Sequence, residues 1–385
     1  MTQRPVFQMM PRWFWWIGVW MVFWPPVVGS GSPATPLPEQ IAKNEQVLRV
    51  AVVGDTGVGD RAFHWGFLAV QKAMREKRPD VLLHLGDFVY QSEWLPKTCR
   101  PEYLREIRST LVRPYPLRIF VPGDNDFSPD LTNPKASACW DPIARMSSPF
   151  DAGLPSSPSP GRYEGTRVIG NTLFAVLNSY AWRDPTPWLS PRIEQARRAG
   201  KWIILALHEP AITTAWYLEK RDTVLKQIDA LGPDLVFSGN QHSYERFFPL
   251  GVPGPEGKLP VKKSDTGKFR RGDGTIHVIS GGGGATFKPF ADLQGVKDRT
   301  APREVFDALA ARALMNHFLI LDISSNRIQA TTYRVCPGLP PQGHANPRWR
   351  PKKSFWKSIA LECDGQPVGV TPFDHFEIIK GGGGP

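Results

Sequence analysis

An α/β fold is predicted for this 385-residue chain on two observations. Short apolar runs rich in β-branched residues alternate with segments of helical character. Three of the runs empty into loops that carry an aspartate, at Asp55, Asp87 and Asp124. In α/β sheets ligands bind beyond the carboxyl ends of the strands, where successive loops converge, so the repetition predicts a site as well as a fold.

The first run, residues 47–53, is continuous and apolar, which suits a buried strand, and it ends in Gly54-Asp55-Thr56-Gly57. Phe63, Phe67, Val70 and Met74 recur at helical spacing and predict a helix over 61–76. A second strand over 81–85 ends at Gly86-Asp87. After a helix-like 101–111, a third strand over 118–121 runs into Pro122-Gly123-Asp124-Asn125-Asp126. Further strands are predicted at 172–179, at 202–207 before His208, at 235–238 before Gly239-Asn240-Gln241-His242, at 275–280 and at 317–323. Helix-like segments at 191–199 and 219–231 separate some of them. Residues 127–161 and 249–274 lack a hydrophobic period and are expected to be long surface insertions of the kind that serve function.

Domain organisation follows from composition. Arg4 and Arg12 precede an apolar, tryptophan-rich run from Trp13 to Trp24, with Pro25, Pro26 and small residues after it, so residues 1–30 are expected to be a signal peptide. An uncleaved membrane anchor is the rival, but the run is shorter than the ~20 residues that span a bilayer. Residues 31–46 then form a linker, 47–335 the main domain, and 336–385 a C-terminal extension that packs through Trp349, Phe355 and Trp356. The protein is expected outside the cytoplasm, periplasmic or secreted, with no stable membrane span once the leader is removed.

The formal charge of +11 falls to +9 without the leader, which carries two arginines and no acid. The remaining basic residues are scattered and form no stripe, which argues against a nucleic-acid partner. Thirty-nine prolines and 35 glycines predict many loops, while 41% hydrophobic residues exclude a disordered chain. Four cysteines allow three pairings, and the pairs nearest in sequence, Cys99 with Cys139 and Cys336 with Cys363, are favoured as staples.

Singly, Asp55 could cap a helix, Asp87 could shape a turn and His208 could be a core histidine. Together, Asp55, Asp87, Asp124, His208 and His242 all follow predicted buried strands, and clustered carboxylates and imidazoles are what zinc, manganese or iron require. The blocks that carry them, Gly54-Asp55-Thr56-Gly57, Gly86-Asp87-Phe88-Val89-Tyr90, Gly123-Asp124-Asn125-Asp126, His208-Glu209-Pro210 and Gly239-Asn240-Gln241-His242-Ser243-Tyr244-Glu245-Arg246, are similar to those of the calcineurin-like metallophosphoesterases. Tyr90, three residues after Asp87, marks a resemblance to the purple acid phosphatase branch. The resemblance spans roughly residues 48–325.

What this resemblance implies is a four-layer αββα sandwich of two mixed β-sheets flanked by helices, and two metal ions. The first ion, ferric iron in relatives with this tyrosine, would take Asp55, Asp87, Tyr90 and His242. The second, zinc, manganese, iron(II) or magnesium, would take Asp87, Asp124, His208 and Asn240. Relatives usually carry histidine where this chain has Asn125 and Asn240, so the second site should hold its ion more weakly or prefer a harder one. The implied reaction is hydrolysis of a phosphorylated small molecule, a metal-bound hydroxide attacking phosphorus in line with the leaving group. Asn125 and Asp126 stand at the block's catalytic positions, and Glu209, Arg246 and His64 are the candidates for the missing acid. A degenerate fold that binds a metal or a partner with little catalysis is the alternative. Gly281–Gly284 are expected to allow close approach to the site, and Trp182, Trp188 and Trp216 to serve either as core or as a substrate platform.

Overall fold

The computed structural model describes residues 47–59, 64–90, 99–127, 139–152, 158–215, 221–254, 258–288, 290–295, 300–338 and 363–381. The expected leader, the linker up to residue 46, and Trp216, Trp349, Phe355 and Trp356 lie outside them, as does the side chain of His64. No helix among the described residues is long and apolar enough to cross a membrane.

Among the described residues, sixteen strands and six α-helices follow in order: β1 (Leu48–Val53), β2 (Val58–Gly59), α1 (His64–Glu76), β3 (Val81–His84), β4 (Val89–Tyr90), α2 (Pro101–Ile107), β5 (Leu117–Phe120), α3 (Trp140–Ala144), β6 (Gly165–Ile169), β7 (Thr172–Val176), α4 (Thr186–Arg198), β8 (Trp202–Leu207), α5 (Arg221–Ala230), β9 (Leu235–Ser238), β10 (Tyr244–Phe247), β11 (Lys268–Arg270), β12 (Ile276–Ser280), α6 (Arg303–Asp307), β13 (Leu309–Ala313), β14 (Asn316–Ile323), β15 (Arg327–Cys336) and β16 (Gly369–Ile379). One seven-stranded sheet has the order β11-β16-β15-β14-β1-β3-β5 and the other β13-β10-β12-β9-β8-β7-β6. Both are mixed: β1, β3 and β5 run parallel while β14 pairs antiparallel with both β1 and β15, and β7, β8, β9 and β12 run parallel while β10 pairs antiparallel with β12.

The two-residue period of a strand sorts the apolar residues into layers. Val50, Val52 and Leu83 of the first sheet meet Ile204, Ala206, Phe237 and Val278 of the second in the core between the sheets. The alternate residues, Ala51, Val53 and Leu82, face outward and are covered by Phe67, Val70 and Met74 of α1, Tyr103 of α2 and Ile143 of α3. On the far side, Ile203, Leu205 and Leu207 of β8 are covered by Leu189 and Ile193 of α4, Leu225 of α5 and Val305 of α6. The expected α/β fold with two mixed sheets between helices is the fold observed. Because the central strands β1, β3, β8 and β9 are covered on both faces, they read as unbroken apolar runs.

Two polar clamps join the sheets. Trp202 Nε1 donates to the Ser324 carbonyl at 2.8 Å, and Arg246 of β10 grips Asp374 of β16 through Nε at 2.6 Å and Nη2 at 3.0 Å, with Tyr244 Oη donating to the same carboxylate at 2.7 Å. β16 lies between β11 and β15 in the first sheet, so the segment after residue 335 supplies an internal strand and is no appendage. The described residues on the two sides of the boundary expected at 335 belong to one compact unit. The insertion expected at 249–274 likewise contributes β11 at the sheet edge. Both disulfides pair as expected, and Cys336–Cys363 ties the end of β15 to the approach of β16.

His317 of β14 is fully buried, its ring nitrogens bonded to Ser280 Oγ and the Met315 carbonyl. Burial pushes its pKa down to about 4, although the bond to the carbonyl opposes the shift. Between about pH 6.5 and pH 4 the unfolded chain therefore binds a proton that the folded chain refuses. Stability contributed by His317 is complete above that window and lost as pH falls through it, by about 3 kcal/mol in total. Urea denaturation at pH 7.5 and at pH 4.5 is expected to show a smaller acid loss for His317→Gln than for the parent protein.

Candidate active site

All the predicted ligands but Tyr90, which lies in β4, sit just past the end of a strand. Asp55 follows β1, Asp87 follows β3 and Asp124 follows β5 in the first sheet, while His208 follows β8 and Asn240 and His242 follow β9 in the second. Asp55, Asp87 and Asn240 have left-handed backbones, with φ of 56°, 56° and 62°. Aspartate and asparagine are the side-chain-bearing residues that best tolerate this region. Glycines let the loops close up. A Cβ on Gly86, itself at φ 95°, would lie 2.6 Å from His208 Nδ1, and one on Gly281 would lie 2.1 Å from the Gln241 carbonyl and 2.7 Å from Asp55 Oδ2. The glycine run after β12 thus serves close approach, as expected.

The ligand-type side chains fall into two groups that share Asp87. In the first, Tyr90 Oη lies 2.9 Å from Asp55 Oδ1, 2.9 Å from Asp87 Oδ2 and 3.0 Å from His242 Nε2, and His242 Nε2 lies 3.2 Å from Asp55 Oδ1. In the second, His208 Nε2 is 3.3 Å from both Asp87 Oδ1 and Asp124 Oδ1. Asp55, Asp87 and His208 are fully buried, whereas the Asp124 side chain is 39% exposed, so the cluster reaches solvent on the Asp124 side. One ligand atom from each of Asp55, Asp87 and His208 lies within 4.8 Å of the others, a set that could hold a metal ion.

The orientation of the histidines tests that fit. His208 Nδ1 is 2.6 Å from the Leu85 carbonyl, and His242 Nδ1 is bonded to the Thr286 carbonyl. A carbonyl only accepts, so each Nδ1 carries a proton and a neutral ring offers a lone pair at Nε2. Both lone pairs face carboxylate oxygens, and His208 Nε2 is buried without a hydrogen-bond partner. A cation between these atoms turns that repulsion into attraction, and the oxygen and imidazole donors suit zinc, manganese or iron.

Protons meet the same need when no cation is bound. Burial would lower the His208 pKa, but Asp87 and Asp124 raise it well above the usual imidazole value. Burial, followed by the charges of Asp55, Asp87 and Asp124, holds the Tyr90 phenol far above its usual range. The Asp87 carboxyl is opposed by burial yet held below the usual carboxylate range by His208, Lys288 and Asn125. A bound cation reverses the first two of these tendencies.

The other expected catalytic residues separate. Asn125 is at the cluster and donates to Asp87 twice, from its backbone N–H at 2.9 Å and from Nδ2 at 2.7 Å. Asp126 is fully buried, and its oxygens accept the backbone N–H groups of Asp87, Phe88 and Val89 at 3.0, 2.9 and 3.1 Å, so it holds the loop that carries Asp87 and Tyr90. Glu209 is half-buried, its N–H donating to Ser179 Oγ at 3.0 Å, and its charge acts on Tyr180. Arg246 is not brought to the cluster: the sequence block that contains it turns into β10, where the guanidinium clamps Asp374. Trp188 is a core residue between α4 and its sheet, and Trp182, half-buried ahead of α4, packs against that core.

Two residues beside the cluster carried no prediction. Tyr180 Oη donates to Asp124 Oδ1 at 3.0 Å, and burial, then Asp124, Asp87 and Glu209, raise its pKa well above the usual phenol value. It stands just past the strand expected at 172–179, so the rule that located Asp55 could have located it. Lys288 Nζ donates to the Asn240 carbonyl at 2.6 Å and to Asn240 Oδ1 at 3.0 Å. Nothing in the spacing announces it.

The model of the calcineurin-like phosphoesterase family matches residues 48–244, from β1 to the start of β10. The chain belongs to the calcineurin-like phosphoesterase family. It is 33% identical over 126 residues to an uncharacterized Mycobacterium tuberculosis protein, covering 30% of this chain and 23% of that one. It is 28% identical over 120 residues to an acid phosphatase of Aspergillus ficuum, covering 30% and 20%. It is 26% identical over 299 residues to a probable inactive purple acid phosphatase of Arabidopsis thaliana, covering 68% and 44%. The chain therefore spans less than half the length of these relatives. Among solved structures, the purple acid phosphatase from yellow lupin seeds shares the fold with a TM-score of 0.59 at 15% identity, over 87% of this chain and 54% of that one.

Proposed function

We propose that the chain hydrolyses phosphate esters of small molecules at a dinuclear metal site, as an acid phosphatase-like phosphomonoesterase or phosphodiesterase acting outside the cytoplasm. The observation that carries this reading is the pair of histidines locked through Nδ1 with Nε2 aimed at carboxylates, Tyr90 closing one group and Asp124 the other. Asp55, Asp87, Tyr90 and His242 would hold the first ion, ferric iron, and Asp87, Asp124, His208 and Asn240 the second, zinc, manganese, iron(II) or magnesium. Such ions lower the pKa of water and polarise the phosphoryl group.

The chain's own residues prepare that chemistry. Asn125 fixes the shared carboxylate with two N–H groups, and Tyr180 fixes Asp124. Asn125 has no proton to release near neutrality, so protonation of the leaving oxygen falls to another group, and Glu209, whose charge acts on Tyr180 beside Asp124, is the candidate for it. A second reading, a degenerate fold with little catalysis, is favoured by Asn240, whose amide oxygen already accepts from Lys288.

Metal analysis of the purified protein, with aryl phosphate and bis-aryl phosphate as substrates, separates the two readings. At least one ion per chain, and hydrolysis that rises with added manganese, zinc or iron, are expected. Less than one ion and no hydrolysis with any of the three would sink the enzyme reading. Tyr90→Phe adds a second test: a visible tyrosinate-to-iron absorption present in the parent protein is expected to vanish, because phenylalanine keeps the ring and removes the phenolate.

A further inference from the structure

At the corner where the second ion would take its last ligand, the chain already holds a cation. Asn240 stands at the ligand position of the Gly239-Asn240-Gln241-His242 loop, and Lys288 Nζ donates to both its carbonyl and its Oδ1. The lysine does not merely lean on the loop. Three successive residues of one loop are bonded to the loop after β12: Asn240 to Lys288 Nζ, Gln241 Nε2 to the Lys288 carbonyl at 2.8 Å, and His242 Nδ1 to the Thr286 carbonyl. Its ammonium stands close enough for its charge to act on Asp87, the shared ligand.

The bonding of the ammonium is incomplete. It has three N–H groups, of which two are engaged by the two Asn240 oxygens, and among the described residues no carboxylate forms an ion pair with it. Lys288 is half-buried. A lysine whose backbone carbonyl and ammonium are both bonded to the ligand loop, lacking a carboxylate partner among the described residues and keeping one N–H free beside a cluster of carboxylates, has the chemistry of a phosphate-oxygen donor. An amide oxygen can accept from two sides, yet a divalent ion on Asn240 Oδ1 would stand close to the ammonium and be repelled by it. The site thereby trades affinity for the second ion against a permanent positive charge.

We propose that Lys288 is a phosphate-binding residue built into the second-metal corner, where its ammonium adds a fixed positive charge to the clamp that the bound metal places on the substrate phosphoryl group. The proposal rests on the reading that Asp55, Asp87, Tyr90 and His242 hold a metal ion.

The test uses the whole protein and two direct binding measurements, inorganic phosphate by calorimetry and manganese by equilibrium dialysis, on the parent protein, Lys288→Met and Lys288→Arg. Methionine keeps the length of the stem and its packing but not the charge. Lys288→Met is expected to keep its tightly bound ion, bind phosphate at least tenfold more weakly and bind a further manganese ion severalfold more tightly. Lys288→Arg, which retains the charge, is expected to bind phosphate within about threefold of the parent protein. Unchanged phosphate affinity in Lys288→Met, or an equal loss in Lys288→Arg, overturns the proposal while leaving the metal site intact. Absence of any tightly bound ion in the parent protein overturns the proposed function itself, and this proposal with it.

Discussion

Asp87→Ala is expected to bring bound metal below one ion per chain and to reduce phosphate-ester hydrolysis by at least ~10³-fold, equivalent to about 4 kcal/mol of transition-state stabilisation. Asp87 is the one carboxylate shared by both groups of ligands. Its Oδ1 lies 3.3 Å from His208 and accepts the Asn125 N–H, while its Oδ2 accepts from Tyr90 and Asn125 Nδ2. Alanine removes the bridge and leaves His208, Tyr90 and Asn125 each short of a partner. Asp87→Asn separates charge from shape: the amide fills the same space, but it is neutral and its NH2 group faces donors. Metal content and turnover should therefore fall nearly as far as with alanine. Metal analysis and the aryl phosphate assay on the same preparations check this, with the denaturation midpoint as control. Either variant retaining its ions, or hydrolysis within tenfold of the parent protein, would show that Asp87 does not bridge the site.

The parts of this molecule that were legible in the sequence are those governed by strand periodicity. β1, β3 and β8 are covered on both faces, so they read as unbroken apolar runs, and the polar residue after each run is a ligand candidate by position alone. β15 and β16 escaped for the converse reason. β15, Arg327 to Cys336, alternates exposed or half-buried residues with buried ones, and β16 is exposed or half-buried along most of its length. Their apolar content is thus too thin to announce a strand, and β16 in addition follows a long proline-rich stretch. At the site, Asp55, Asp87, Asp124, His208 and His242 were found because each lies one to four residues past a strand, and Tyr90 was found through the resemblance that the Gly86–Tyr90 block carries. Arg246 was misplaced because it also belongs to such a block but sits on the far side of a turn, in β10. Lys288 reaches Asn240 from a loop with no period, and only the folded chain reveals that contact.

Asp126 shows how a conspicuous carboxylate at an active site can be architectural. Its oxygens accept the backbone N–H groups of three consecutive residues, Asp87, Phe88 and Val89, and it is fully buried. Asp126→Ala would leave three buried donors unsatisfied at a cost of ~1–3 kcal/mol each, so a loss of about 3 kcal/mol or more in unfolding free energy is expected. Asp87 and Tyr90 ride on that loop, and affinity for the first ion should fall at least tenfold with it. Asp126→Asn can keep the two bonds made by Oδ1, to Phe88 and Val89, but sets an NH2 group against the Asp87 N–H. An intermediate loss is therefore expected in both stability and metal affinity. A residue acting directly on substrate would behave in the opposite way: Asp126→Asn would unfold like the parent protein, bind metal like it, and turn over slowly. Urea denaturation, metal analysis and turnover measured together on both variants decide between these patterns. Because the three hydrogen bonds come from the one loop that carries the shared ligand, the structural pattern predicts that stability and metal affinity decline in step from the parent protein through asparagine to alanine.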